Sequence, residues 1–417
     1  MSSPCRIHRT RRRTDSLPLA LLFAAFLLAP WNEVIGQYAT GSTSEGAATS
    51  GGRSVPFEIT AGVDIGYDDH VIGSNSSTSS SSPSSFFTRE NLVLSYDRPN
   101  ERTEIRLIAV GRFTQFLDLG TEDKDVNVTF ALEHNFSTRL SFRADVYGAY
   151  QTEPNFQSNV GPENVRAPHF DTNDVFSVTY HWLPRLSTVT SYTFQRIKYE
   201  SSSVSTSAIG VGQDRFQNTL AETLQFSLTS RTSLIGEYRF EVIDYDTAPR
   251  DATIHFALAG LDHSLTEHLK INVLGGESFR SFKDDGDTID PYIEAKLAYQ
   301  GGNHSINWTT SYGVEQPTTG IALGTTTIRT GLNMTYDLTS RINSRAGVYY
   351  HHNENQGPSG TNSGVPQDAL QFTLGLKYTI NKHFALHVDY QYTAESSSGG
   401  TSGYSRNRYF GGLTYTY

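Results

Sequence analysis

The 417-residue sequence has a single cysteine, Cys5, and it lies within the first nine residues. No disulfide framework and no thiolate metal site follows from one thiol. Methionine is nearly absent, with two in the chain. Beyond Pro30 no uninterrupted apolar run approaches the roughly 18 residues that a membrane-crossing helix needs, and no stretch holds a 3.6-residue hydrophobic period. Basic residues are in deficit, with 33 Lys and Arg against 43 Asp and Glu. Setting aside residues 1–36, with five arginines and two acids, moves the net charge from −10 to −13. That sign argues against nucleic acid as a partner, because phosphate neutralisation supplies most of such binding.

The N-terminus is organised differently from everything after it. "CRIHRTRRR" is basic, "LPLALLFAAFLLAP" is apolar, and Val34 and Gly36 occupy small-residue positions ahead of Gln37. This order predicts a secretory signal peptide over 1–36, the apolar core being too short for a span of about 20 residues. Residues 37–55 are small and rich in Gly and Ser, which predicts a flexible periplasmic leader.

From Pro56 onward, period two takes over. In "PFEITAGVDIGYDD", Phe57, Ile59, Ala61, Val63, Ile65 and Tyr67 share one face, opposite Glu58, Asp64 and Asp68. "TEIRLIAVGRF", "RLSFRADVYGAY", "ALQFTLGLKYTI" and "FALHVDYQY" repeat the pattern. About 18 such segments, each roughly 9–13 residues long, fit between Pro56 and Tyr417. Soluble strands average about 5–6 residues, whereas tilted bilayer-crossing strands need about 9–11. Connections alternate between tight turns ("YDRPNER", "HNFSTRL", "WLPRLS", "LTSRTS", "DHSLTEHL", "YQGGNHS", "YDLTSRI", "TINKHF") and longer polar loops. Since backbone groups in hydrocarbon must all be paired internally, such a set of strands spans only as a closed barrel. The expected fold is all-β, a transmembrane up-and-down antiparallel β-barrel of about 18 strands (16 being the alternative) over 56–417. One position breaks the alternation: Glu222 shares its parity with Leu220, Leu224 and Phe226, which predicts a bulge there or a place outside the hydrocarbon band.

The chain resembles a known family. "ITAGVDIGYDDHV" followed by "NLVLSYDRPNERTEIRLIAVGRFTQF" is similar to the opening of outer-membrane β-barrel porins of the "beta-barrel porin 2" type, with Gly66, Tyr67, Asp68 and Asp69 carrying the sharpest element and His70 where the family commonly has Asn. The resemblance implies a channel in the outer membrane of a Gram-negative cell and supplies no catalytic residue, cofactor or substrate.

Candidate sites follow from the polar face. Glu104, Arg106, Arg112, Arg143, Asp145, Arg239, Glu241, Lys377 and Asp389 are expected to face the lumen, where they either set a transverse field that filters solutes or form ladders that stiffen the wall. No catalytic motif stands out. His351 and His352 with Asp368, or Asp68, Asp69 and His70, read better as solvated loop and rim residues than as catalytic groups. The acidic pairs Asp68–Asp69 and Asp284–Asp285 offer too few oxygens alone for calcium. No metal or cofactor is expected, and the Asn-x-Ser/Thr triplets are of the number a chain so rich in these residues produces by chance.

The expected function is a porin-like channel for passive diffusion of small hydrophilic solutes. The competing readings are a pore exporting a secreted polysaccharide, and a closed structural or adhesive surface barrel. Expected partners are outer-membrane lipid, lipopolysaccharide and the barrel-assembly machinery. The last would read the terminal strand, in which Leu413, Tyr415 and Tyr417 carry an apolar stripe to the final residue.

Overall fold

The protein is described here from a computed structural model, which describes residues 56–71, 83–153, 168–200, 214–247, 250–283, 286–316, 322–356, 366–397 and 403–417. The expected signal peptide, the leader 37–55 and the Asp284–Asp285 pair lie outside these residues. The strands are β1 (Phe57–Asp68), β2 (Ser85–Arg98), β3 (Thr103–Phe116), β4 (Thr121–Asn135), β5 (Leu140–Gln151), β6 (His169–Leu183), β7 (Leu186–Tyr199), β8 (Arg215–Ser227) and β9 (Thr232–Tyr245). They continue with β10 (Ala252–Ser264), β11 (Leu269–Phe282), β12 (Asp287–Gln300), β13 (His304–Glu315), β14 (Gly324–Thr339), β15 (Ile342–Gln356), β16 (Gln367–Thr379), β17 (Phe384–Ser397) and β18 (Tyr404–Thr416). Each strand pairs antiparallel with its neighbours in sequence, and β1 pairs with β18, so the sheet closes as an 18-stranded barrel. No helix occurs among the described residues.

The eight connections expected to be tight, from 99–102 to 380–383, are two to four residues long; on the opposite side 117–120 and 283–286 are as short, and the others run from six residues upward. Both ends of the barrel chain therefore lie at this turn side. The strands run 12 to 16 residues, longer than the alternation alone marked out. The excess is polar: it carries the sheet past the apolar band, where period two no longer has hydrocarbon on one side to enforce it.

Which face is outside is decided by reach. The guanidinium of Arg239 on β9 touches Glu294 on β12 at 3.2 Å, three strands and about 14 Å away along the sheet. Only side chains converging on the concave side bridge that distance. Arg239 shares its face with Ile243 and Tyr245, both buried, while Leu234 and Tyr238 on the other parity are exposed. The same holds around the wall: Val63, Ile65, Leu92, Leu220, Leu224, Leu374, Leu386, Val388 and Leu413 are exposed, and Asp64, Asp68, Arg89, Asn91, Arg280, Asp389 and Arg406 are buried. Apolar outside and polar inside is the arrangement of a sheet whose outer solvent is lipid.

The register on both sides of β8 is continuous from Arg215 to Phe226, so no bulge turns Glu222 inward. It points outward between Leu220 and Leu224, with Phe216 and Phe226 toward the two strand ends. The expected bulge is therefore absent, and Glu222 sits midway along its strand.

Candidate functional site: the barrel lumen

Eighteen strands spaced about 4.8 Å apart and tilted roughly 40° enclose a cylinder about 36 Å across between backbones. What fills that cylinder differs with depth. On the loop side, inward groups are buried in ion networks and two apolar clusters. On the turn side they stand partly in the open.

The first loop-side network lies behind the seam where β1 meets β18. Asp64, 0% exposed, accepts from Arg89 Nε and Asn91 Nδ2, both at 2.8 Å, and meets His387 Nε2 at 3.0 Å. Two residues along β17, Asp389 holds Arg345 at 2.6 Å. The Asp64 carboxylate occupies the space where a side chain at Gly412 would stand: a Cβ there would lie 2.1 Å from Asp64 Oδ1 and 2.4 Å from the Val63 carbonyl. The glycine in the terminal "FGGLTY" is thus a place made for a buried charge on the neighbouring strand.

The second network crosses the mouth. Asp68, at the end of β1, receives Arg406 at 2.5 Å and Arg408 at 3.0 Å from β18. Glu153 follows β5, five strands and about 24 Å along the sheet from β18. Its Oε1 lies 2.8 Å from Arg406 and 2.7 Å from Arg408, so this segment reaches over the lumen to clasp the seam. Burial alone would raise the Glu153 carboxyl, but the two guanidinium groups outweigh it and hold the group well below the usual carboxylate range. Val71, Phe87, Phe116 and Phe410 pack beneath, with Arg89 over the Phe410 ring at 4.1 Å.

Opposite these, Ile243, Tyr245, Ile254, Phe256 and Leu258 of β9 and β10 form an apolar cluster inside the barrel, with Tyr292 against it. Arg239 pairs there with Glu237 and Glu294. Glu241 is buried and accepts from Thr219 at 3.3 Å. Arg280 donates to the Val314 carbonyl at 2.8 Å, and Tyr245 to Gln316 at 3.2 Å. Sequence reading had no means to find these clusters, because inward Phe and Ile look like breaks in a polar stripe.

The turn side is built from shorter contacts within one wall. Arg106 lies 3.1 Å from Glu104 on its own strand and 4.0 Å from Asp97. Arg143 forms a two-point pair with Asp145, at 2.6 and 3.0 Å. Their side chains keep between 30 and 41% of their exposure. The register sets Arg143 beside Glu133, and Glu133 beside Glu104. The cations and acids of β3–β5 are therefore brought to one wall rather than to opposite walls. Arg112 shares this inward face nearer the loops, beside Asp125. Lys377 is exposed on β16 and Asp389 is buried on β17.

The remaining candidates resolve into supports. Asp69 accepts from the Asn407 amide at 2.7 Å, and His70 stacks on Tyr404 with ring centres 5.1 Å apart. His351 is buried inward, while His352 meets Asp368 at 2.9 Å together with Tyr350 at 2.7 Å. Among the described residues no group of three or more His, Cys, Asp or Glu is disposed to hold a metal ion. Leu413 and Tyr415 pair in register with Val63 and Ala61, and Tyr417 N donates to Ile59 O at 2.9 Å.

A barrel with lipid-facing apolar walls and an ionised interior defines the class: an outer-membrane β-barrel of channel type. Residues 59–417 match the family model described as "Putative beta-barrel porin 2". The chain belongs to that family, and it is an outer-membrane porin-like channel. No curated protein matches the sequence. Among solved structures it is similar to the Pseudomonas aeruginosa outer-membrane protein OpdK, at 11% identity over 87% of this chain and 99% of that one, with a TM-score of 0.42. It is also similar to OccK2 (OpdF) of the same organism in complex with glucuronate (10%, 87% and 97%, TM-score 0.44). A third similarity is to that organism's siderophore receptor PirA (9%, 87% and 80%, TM-score 0.40).

Proposed function

We propose that the barrel is a passive channel for small hydrophilic solutes, filtered by the width and charge of the loop-side half of its lumen. The observation that carries this reading is the contrast in depth. Turn-side charges remain water-accessible, whereas the loop side narrows onto Arg406, Arg408, Asp68 and Glu153. A solute entering from the loops meets two arginines whose charge is already largely compensated, so width rather than sign dominates there. Past that level the inward charges that keep contact with water, Glu104, Arg106, Arg143, Asp145 and Lys377, tune preference among ions. We propose no enzymatic role and no cofactor.

The same reading includes a signal peptide at 1–36, a periplasmic leader at 37–55, and a terminal strand read through Leu413, Tyr415 and Tyr417 by the barrel-assembly machinery of a Gram-negative cell. It places lipopolysaccharide against the outer wall on the loop side.

The test is single-channel conductance of the folded, heat-modifiable protein in planar bilayers. Steady ionic current is expected. A second reading, a closed structural barrel, is favoured by the clasp over the mouth. It gains if both the native chain and Glu153→Ala conduct only at noise level. Blockage by polysaccharide with no effect of simple sugars would point instead to polymer export.

A further inference from the structure

On the wall formed by β14–β16, three inward positions are glycines: Gly331, Gly347 and Gly375. Neighbouring side chains lie down over them. A Cβ on Gly331 would meet Cδ1 and Cε1 of Tyr349 at 2.8 and 3.0 Å, and one on Gly347 would meet Cε2 of the same ring at 3.3 Å. The two edges of the Tyr349 ring thus rest on the wall, one over each glycine. The ring lies flat, one face against the backbone and the other toward the water column. Its hydroxyl donates to Asn333 Oδ1, which pins the ring in that plane. Arg345 lies down over Gly375 in the same way, with Nε 2.6 Å from where a Cβ would stand, and so reaches Asp389.

Other inward tyrosines are covered. Tyr292 also lies over a glycine, Gly313, but Phe256 packs against it at 5.2 Å and Arg239 stands over it at 5.5 Å. Tyr147 is buried, and Arg250 covers Tyr245 at 4.5 Å. Tyr349 stays partly exposed, midway along β15. Toward the loops its inward neighbours His351 and Asn353 are buried, while toward the turns Arg345 and Lys377 are open to water. The ring therefore sits where the filled half of the lumen gives way to the water column.

The groups around the ring narrow what it can hold. Gln371 stands directly across on β16, Thr373 lies one inward position further, and Asn333 flanks the ring on β14. Among the described residues, the Gln371 amide and Asn333 Nδ2 carry no hydrogen bond, so donors and an acceptor remain to be met. Charge is cancelled, because Arg345 is paired with Asp389 at 2.6 Å. A cationic solute would find no uncompensated acid here, and a plain aromatic one would leave the amides unmet. A pyranose fits both demands. Its C–H face suits the negative face of an aromatic ring, and its hydroxyl edge both donates and accepts.

We infer that Tyr349 is the platform of a saccharide subsite, with Asn333, Gln371, Thr373 and Arg345 taking the hydroxyls of one pyranose. This rests on the proposed channel and names the class of solute that it favours.

The test is saturation-transfer NMR on the folded full chain in detergent. The probe is methyl β-D-glucopyranoside, and the control is mannitol, an acyclic polyol with no rigid C–H face. Saturation should reach the axial hydrogens of one face of the glucoside and leave mannitol unmarked. Tyr349→Leu, which still covers the glycines, should weaken glucoside binding about tenfold, as loss of an aromatic partner does, while Tyr349→Phe keeps the face and the affinity. Gly331→Ala retains the tyrosine but lifts its ring off the wall, and should weaken binding in the same direction. Because the site is open to the turn side, a barrel silent in bilayers that still binds the glucoside would fail as a channel and keep the subsite. A conducting barrel that does not bind it, equal saturation of mannitol, or a folded Y349L that binds like the native chain would each overturn the inference. The ring would then be no more than a cover for its glycines.

Discussion

Asp64 and Glu104 are both carboxylates on the inner face of one sheet, each with an arginine beside it, yet their surroundings are opposite. Asp64 is sealed among Arg89, Asn91 and His387 at the loop-side seam, while Glu104 keeps 41% of its side-chain exposure toward the turns. In the first case solvent is replaced by protein donors, and losing the charge strands its partners in a low-dielectric site. In the second, water screens both partners and the pair adds little. The same chemical pair therefore holds the wall together at one depth and faces the passing solute at another.

The largest effect is expected at the seam. Deleting Leu413–Tyr417 removes the residues that pair with Ile59, Ala61 and Val63 and leaves β1 with an open edge in hydrocarbon. Membrane assembly should be abolished, as read by heat-modifiability and protease resistance in isolated outer membranes. Normal insertion of the shortened chain would refute closure as the source of its stability.

Next comes the buried charge. Asp64→Ala leaves Arg89 and His387 without their carboxylate, which should cost about 3–5 kcal/mol. Gly412→Ala should destabilise comparably by another route, since its Cβ collides with Asp64 and with the Val63 backbone. Both should lower the temperature at which the barrel loses its folded mobility. Gly236→Ala, opening on no neighbour within the chain, should leave that temperature unchanged.

The mouth clasp has a smaller effect on stability and a larger one on permeation. Glu153→Ala should raise single-channel conductance severalfold without loss of folding, because its carboxylate no longer ties Arg406 and Arg408 across the mouth. The pH dependence follows from the lowered Glu153 carboxyl, whose ordinary value is 4.5. A depressed folded-state value means that the clasp is fully present above about pH 4.5 and is lost only as pH falls through that lower value. Conductance should be flat from pH 7 to about 4.5 and rise only in stronger acid; a rise centred near 6 would assign gating to another group.

The contrast in depth was only half legible in the sequence. Closure, strand number and the sidedness of the turns follow from period two and from the eight tight turns the sequence marks, because hydrocarbon enforces alternation wherever it touches the sheet. Inside the lumen no such solvent acts. Nothing in the spacing marks Phe87, Phe116, Ile243 or Ile254 as inward clusters, nor tells that Glu153, outside every strand, reaches Arg406 253 residues away. Arg106 and Arg143 were recognisable as inward, but their choice of Glu104 and Asp145 as partners depends on side-chain reach along one strand, which parity does not encode.

The turn-side charges therefore supply the smallest and most discriminating test. Arg143→Gln removes one partner of a pair whose side chains are about one-third exposed, so stability should change by less than about 1 kcal/mol. Asp145 and the neighbouring Glu133 then face the water column without Arg143, which makes that wall more negative. Reversal potentials in a salt gradient should shift toward cation preference, and the shift should shrink as ionic strength rises and the Debye length falls to about 3 Å at 1 M. Asp145→Asn should shift them the other way with equally little effect on folding. Were both variants to leave selectivity unchanged while lowering stability by several kcal/mol, the turn-side pairs would be wall supports like Asp64, and the lumen would be of one kind along its length.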